Sequence, residues 1–469
     1  MKSADNFFDK HRLSTGHGGK GGISNTVGVA LENTGARHPH PPVHARPKHK
    51  DKSECIIRLH PALIYPQRST KFSAATSPPR LSTLVFLTAV SVLSLNMFLP
   101  SLPHIASEFD ADYALVTLSV SGYLAITAVL QVVLGPLSDR YGRRPVLLVS
   151  IVIYLFASIV CALAPNIWVF LTFRIFQGAI ISGSAIASAV IRDTTEPSEA
   201  ASKMGYVGMA MAVAPMLAPM LGGALDEVLG WRANFWFYAV AGAGLLWLIW
   251  ADLGETNTSA ASTFSAQMRN YPELLRSRRF WAYSMCMAGG IGAFYIFVSG
   301  APFVASRVFG MSSAMLGLGI GTITSGFFMG SFLSGRYSAR MGLLWMIMAG
   351  RVVAFVGLLV GLILYAVDLF HPLVFFAAAI CTGIGNGLTT PSARAGALSV
   401  RPQLADSASG LSGALTVGMG AVLTALPGAL LTEENSVWLV MVMMLLMAAA
   451  GLASAWYVRI LDLRDPLPR

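Results

Sequence analysis

Charge is scarce in this sequence of 469 residues: Asp, Glu, Lys and Arg make up 12%, against 54% hydrophobic residues and a mean hydropathy of +0.61. So few charges cannot cover a soluble surface of this size, so a string of soluble domains is excluded and a polytopic membrane protein is implied. Cysteine is scarce as well. Cys55, Cys161, Cys286 and Cys381 stand apart, three of them inside apolar runs, without a C-x-x-C pair, which supports neither a disulfide framework nor a zinc site. Gly18-Gly19-Lys20-Gly21 lacks both the earlier glycine and the following Ser or Thr of a phosphate-binding loop, so no ATP site is implied. A cleavable leader is not expected either, because the N-terminus is polar rather than a basic segment followed by an apolar core. The first apolar run is expected to act as its own insertion signal.

What charge there is lies unevenly. The net charge is +10, and the first 80 residues hold 13 Lys and Arg against 5 Asp and Glu, so the high isoelectric point reports a basic tail and is no argument for nucleic acid. Residues 1–80 are rich in Gly, His, Lys, Pro and Ser without periodicity, and read as a disordered tail. Within it, Arg37 to Lys50 alternates basic residues, His and Pro; a divalent metal, anionic lipid headgroups and plain solvation all fit that composition.

From 81 onward twelve apolar runs follow one another, near 81–103, 115–137, 145–164, 168–191, 202–225, 233–251, 280–303, 312–334, 343–366, 372–396, 407–431 and 437–459. Each is about the roughly 20 residues that cross a hydrocarbon core. An even number of spans puts both termini on one side. Arg232 and Arg307 are the only basic residues in the loops of the other side, so both termini are expected in the cytoplasm. The longest inside loop, about 252–279, divides the chain into 81–251 and 280–460, with 461–469 as the cytoplasmic end. Its start reads as a flexible linker, and its end as an amphipathic segment on the membrane surface.

Between the second and third runs stands Gly135-Pro-Leu-Ser-Asp139-Arg140-Tyr141-Gly142-Arg143-Arg144-Pro145, read as a very short loop whose three arginines mark it as cytoplasmic. Leu137-Ser-Asp-Arg-Tyr141 returns as Leu333-Ser-Gly-Arg-Tyr337 after the second run of the second half, a trace of internal duplication. The pattern G-x-L-x-D-R-x-G-R-R resembles the signature of the major facilitator superfamily. That resemblance implies an all-α membrane protein of twelve transmembrane helices in two six-helix bundles around a central site. It also implies a conformational latch made of Gly135, Asp139, Arg140, Gly142, Arg143 and Arg144 on the cytoplasmic side. Gly135 would permit close helix packing, and Gly142 would take a backbone turn closed to other residues.

Further motifs narrow the likeness. Arg174 lies well inside a span, where a guanidinium is kept only for a polar cavity or a partner. Arg174-x-x-Gln177-Gly178 resembles the fourth-helix pattern of proton-coupled members, which makes Arg174 the proton-relay candidate; a structural arginine bonded to backbone carbonyls is the other reading. Ala214-Pro215-x-x-Ala218-Pro219-x-x-Gly222-Gly223 resembles the antiporter motif, with Ala218 in place of its first glycine. Pro215 and Pro219 are expected to kink that helix, and Gly222 and Gly223 to allow close packing. With Ala189 to Asp193, Trp231 to Trp236, Gly385-Asn386-Gly387-Leu388 with Pro391, and Ala405 to Gly410, the chain is similar to the bicyclomycin-resistance and chloramphenicol-efflux branch of drug:proton antiporters over about 81–460.

One departure matters. The branch has Asp in its first span, and this chain has Asn96 in Asn96-Met-Phe-Leu-Pro100-Ser-Leu-Pro103; no Asp or Glu stands in the middle of any span. Asn cannot carry a proton near neutral pH, whereas a buried carboxylate can. Coupling then uses a group near a span end, such as Asp139 or Asp193, or the protein is not proton-driven. Asn96, Tyr123, Gln131, Gln177, Phe294, Tyr295 and Asn386 are the polar or aromatic residues that would line a cavity for a large apolar or amphipathic ligand, each with helix packing as its alternative. The resemblance implies an inner-membrane efflux transporter working by alternating access as a monomer, without enzymatic activity, cofactor, metal or nucleic acid. A metabolite exporter or facilitator uncoupled from protons is the second reading, and a non-transporting receptor the third.

Overall fold

The computed structural model describes residues 79–257 and 271–464; the expectations for the N-terminal tail and for residues 258–270 of the linker lie outside them. Each apolar run is a helix: α1 Leu81–Glu108, α2 Tyr113–Tyr141, α3 Arg143–Ala162, α4 Ile167–Thr194, α5 Pro197–Leu229, α6 Arg232–Asp252, α7 Arg278–Val308, α8 Ser313–Met341, α9 Leu343–Ala366, α10 Pro372–Ser399, α11 Ala405–Leu430 and α12 Ser436–Arg464. Helices are what a segment in hydrocarbon must form, since every backbone N–H and C=O then finds a partner within the segment. Breaks fall at local chemistry. α1 loosens at Met97-Phe98 just before Pro100 and Pro103, and α7 ends in a π-turn over Val304–Val308 after Pro302. Pro215 and Pro219 do not end α5, which runs unbroken for 33 residues.

The motif expected to be a very short loop is mostly helix. α2 continues through Tyr141, and the turn is Gly142 alone, at φ +97°, before α3 begins at Arg143. Beyond Leu134 the chain has left the apolar stretch, and a polar helix there keeps its backbone bonds and sets Asp139 one turn from Arg143. Gly342 repeats the device at φ +87° between α8 and α9. Both α2 and α8 have 29 residues before their glycine. The repeat is therefore one helical turn away from the identity match at 333–337: Asp139-Arg140-Tyr141-Gly142 corresponds to Ala339-Arg340-Met341-Gly342.

Two six-helix bundles meet through α2 against α11 and α5 against α8. They are closed at the end far from these two turns. A Cβ on Gly222 would stand 1.6 Å from the Met97 carbonyl oxygen, one on Gly223 2.2 Å from that of Ser313, and one on Gly317 2.3 Å from that of Pro219. Backbone thus packs on backbone across α1, α5 and α8, which only glycine allows. Tyr113 adds a hydrogen bond to the Ser299 carbonyl at 2.7 Å from α2 to α7. At the turn end α5 is bare: from Ser202 to Met211 only Val207 is buried, and a Cβ on Gly205 or Gly208 would meet nothing within 4 Å.

Candidate functional site

Arg143 is the hub of the turn. Its Nε donates to Asp193 Oδ2 at the end of α4 at 2.5 Å, one Nη lies 3.2 Å from Asp139 Oδ1, and the other donates to Ser138 Oγ at 3.3 Å. Glu255, just past α6, caps α3 by accepting the backbone N–H of Arg143 at 3.0 Å and of Arg144 at 3.2 Å. The Arg144 side chain donates to the Trp250 carbonyl at 2.8 Å, Asn257 donates to the Asp139 carbonyl at 2.6 Å, and Arg140 lies over the ring of Tyr141. These partners all belong to the first bundle or to the start of the linker that follows it. Gly135 sits within α2. Glu255 and Asn257 escaped sequence reasoning, because no periodicity or spacing joins an acid after the sixth run to a turn more than a hundred residues earlier.

Arg174 is fully buried. Its guanidinium donates to Gln177 Oε1 at 2.5 Å and to the Ser94 carbonyl at 2.8 Å, and lies 4.0 Å from the ring centre of Phe98 and 4.7 Å from that of Tyr123. Gln177 passes the link to Ser158 Oγ at 2.7 Å, so one polar chain ties α4 to α1 and α3. No carboxylate joins it among the described residues; the hydroxyls of Ser94, Tyr123 and Tyr154 are buried beside it. The second bundle holds a counterpart. Arg351 of α9, 1% exposed, donates to Asn386 Oδ1 at 2.7 Å and Thr389 Oγ1 at 2.9 Å on α10, and Asn386 donates to the Gly290 carbonyl of α7 at 2.8 Å.

The residues proposed to line a cavity do not converge on one spot. Asn96 is 6% exposed and donates to Val92 one turn back, Tyr123 and Gln177 belong to the Arg174 cluster, and Asn386 is engaged at both ends of its amide within the second bundle. Tyr295, with Phe294 against its ring, packs on Gly420 of α11, and Gln131 faces Gly413 across the α2–α11 contact. Pro219, Gly222 and Gly223 are buried at the closed contact, and Pro215 one turn earlier is partly so.

At the closed end lies a pair that the sequence placed at mere span ends. The Asp226 side chain, in the last turn of α5, has no exposure; His104 Nδ1 of α1 lies 2.9 Å from its Oδ2. Its neighbour Glu227 points the other way and accepts the Ala314 N–H of α8 at 3.0 Å.

Twelve membrane helices in two bundles, fastened face to face at one end and parted at the other, define a polytopic transporter fold. The sequence matches the Major Facilitator Superfamily over residues 84–425, and the chain belongs to that superfamily, on the bicyclomycin- and chloramphenicol-resistance branch. It is 29% identical over 400 residues to a chloramphenicol resistance protein of Pseudomonas aeruginosa, covering 84% of this chain and 93% of the relative. Multidrug resistance protein D of Escherichia coli is 29% identical over 369 residues, covering 77% of this chain and 91% of that one. Among solved structures, a bacterial homologue of the human lysosomal transporter Spinster, inward-facing and occupied, matches with a TM-score of 0.68 at 15% identity, over 83% of this chain and 99% of that one.

Proposed function

We propose that this protein is a multidrug or small-molecule efflux transporter of the inner membrane, standing in its inward-facing state. Both termini and the arginine-rich turn lie in the cytoplasm in this reading, by the distribution of Arg and Lys over the loops. The observation that carries it is the one-sided closure: glycine backbone contacts seal α1, α5 and α8 at the outer end, while the cytoplasmic half of α5 is bare. Relatives named for chloramphenicol and multidrug resistance, matched across both bundles, support a drug-type substrate. The bundles are taken as 81–251 and 280–460, rocking about a central site as a monomer. The Asp139, Arg140, Arg143 and Arg144 turn latches the inner side when the bundles rock the other way, and Arg174 tunes proton transfer through Tyr123 and Gln177.

Proton antiport is the coupling proposed, and Asn96 supports the second reading, an exporter or facilitator without proton exchange. The test is expression in a host stripped of its own pumps, challenged with a panel of toxic compounds, with export followed in inverted vesicles before and after collapse of the pH gradient. Raised resistance with gradient-driven export is expected. Gradient-independent flux selects the uncoupled reading, and binding without flux selects a receptor.

A further inference from the structure

We infer that the first bundle carries a binding site for one anionic phospholipid, with its phosphate on Arg144 and an acyl chain in the cleft between α3 and α6. Which leaflet supplies it, the inner one, rests on the cytoplasmic placement of the arginine-rich turn; the site itself does not. The cleft has a volume of about 800 Å³ and reaches from Arg144 and Glu255 at the turn to Ile153 of α3 and Ala243 of α6. Its walls are apolar, and Val149, Val152, Trp247 and Trp250 stand exposed along it, so it opens to the bilayer. Gly242 lets α6 close on the ring of Tyr154, while Ala243 and Gly244, both exposed, leave the space beside that contact unfilled.

Length selects the occupant. From Arg144 to Ile153 is nine residues of helix, about 14 Å at 1.5 Å per residue, which is half of the roughly 30 Å of a hydrocarbon core. A spanning helix would need a path twice as long; a lipid chain of one leaflet needs only this one. Trp247 and Trp250 stand toward the turn end, where indole rings sit at the level of headgroups.

Charge selects the headgroup. Arg144 is 4% exposed; one Nη donates to the Trp250 carbonyl, and its Nε has no hydrogen-bond partner among the described residues. Arg143 and Arg144 both stand in the first turn of α3, where the helix dipole disfavours cations. Arg143 is offset by Asp139 and Asp193. The acid beside Arg144 is Glu255, and it is spent on the backbone N–H groups of Arg143, Arg144 and Asn257. The capacity left at the head of the cleft is therefore for an anion, and a phosphodiester accepts what the guanidinium still has to donate.

The test is native mass spectrometry of the full-length protein in mild detergent, with phosphatidylglycerol, phosphatidylethanolamine and phosphatidylcholine of identical chains added in equal amounts. Phosphatidylglycerol should be retained roughly fivefold over phosphatidylcholine, the ratio that corresponds to the about 1 kcal/mol a basic residue gains from anionic lipid. Arg144→Gln should bring that ratio to one, and Arg144→Lys, a point charge without the fork, should keep part of it. Ala243→Phe, at an exposed position inside the cleft, should lower retention of all three lipids, and decides the matter alone if Arg144→Gln fails to fold. No preference in the parent, a preference that survives Arg144→Gln, or retention untouched by Ala243→Phe overturns the site. Phosphatidylethanolamine held ahead of phosphatidylglycerol overturns the anionic headgroup, and a lipid-free dimer broken by Ala243→Phe assigns the cleft to a second copy instead. Mass is read without transport, so each of these failures leaves the efflux reading standing.

Discussion

Gly142 and Gly342 occupy equivalent turns after helices of equal length, but a Cβ on Gly142 would stand 2.4 Å from Glu255 Oε2, whereas one on Gly342 would meet nothing within 4 Å. The two positions share a backbone conformation essentially reserved for glycine, at φ/ψ of +97°/148° and +87°/155°. They differ in what lies beside it. Alanine at either site should therefore cost the roughly 1–3 kcal/mol of a strained residue. Gly142→Ala should also push Glu255 off the N-terminus of α3. Thermal unfolding of the purified variants should place Gly142→Ala clearly below Gly342→Ala; equal midpoints would mean that the Glu255 cap is not held by the glycine.

The latch separates from the scaffold in a second comparison. Asp139 is 35% exposed on its side chain and meets Arg143 one turn away, a pair whose contribution to stability is about 0–1 kcal/mol. Asp139→Asn should leave the melting temperature nearly unchanged and abolish export. Glu255→Gln, which keeps the shape but weakens a charged cap on two backbone N–H groups, should lower stability by about 0.5–2 kcal/mol, the range found for lost helix caps. Undiminished export by Asp139→Asn would remove the latch.

How these parts divide between sequence and structure has a physical cause. Twelve helices were legible because a bilayer imposes length and hydropathy on each segment separately, and the single glycine turn was legible in outline from Gly142. Partners were not. Asp226 reads as a span-end acid, and only the packing of α1 on α5 makes it a buried group facing His104. The repeat at residues 333–337 looked like a match by identity, while the fold aligns the halves at Gly142 and Gly342, one turn over. Asn386 looked available for a ligand until Arg351 and Gly290 claimed its amide.

Arg174 supplies the third prediction. Its fork serves the Ser94 carbonyl and Gln177 at once while stacking on Phe98, a combination that lysine cannot reproduce and alanine abandons. Arg174→Ala should lose about 3–5 kcal/mol, as large core truncations do, and should be scarce in the membrane. Arg174→Lys should retain folded protein and part of the export. Equal loss of folded protein in both variants would assign the residue to structure alone and end its case as a proton relay.

The last prediction concerns the missing acid. Asn96 is 6% exposed and donates its amide to the Val92 carbonyl, in the segment of α1 that carries Ser94 and Phe98, two of the residues Arg174 contacts. Asn96→Asp removes that donor and installs a group which, buried, either keeps a proton or turns toward the Arg174 guanidinium. If the transport cycle is short of a carboxylate at this place, export by Asn96→Asp should become more dependent on the pH gradient than export by the parent. The comparison is initial drug export in vesicles with the gradient intact and collapsed by an ionophore, measured for both proteins at equal expression. An identical ratio in the two would show that proton coupling, where it exists, runs through another part of the molecule.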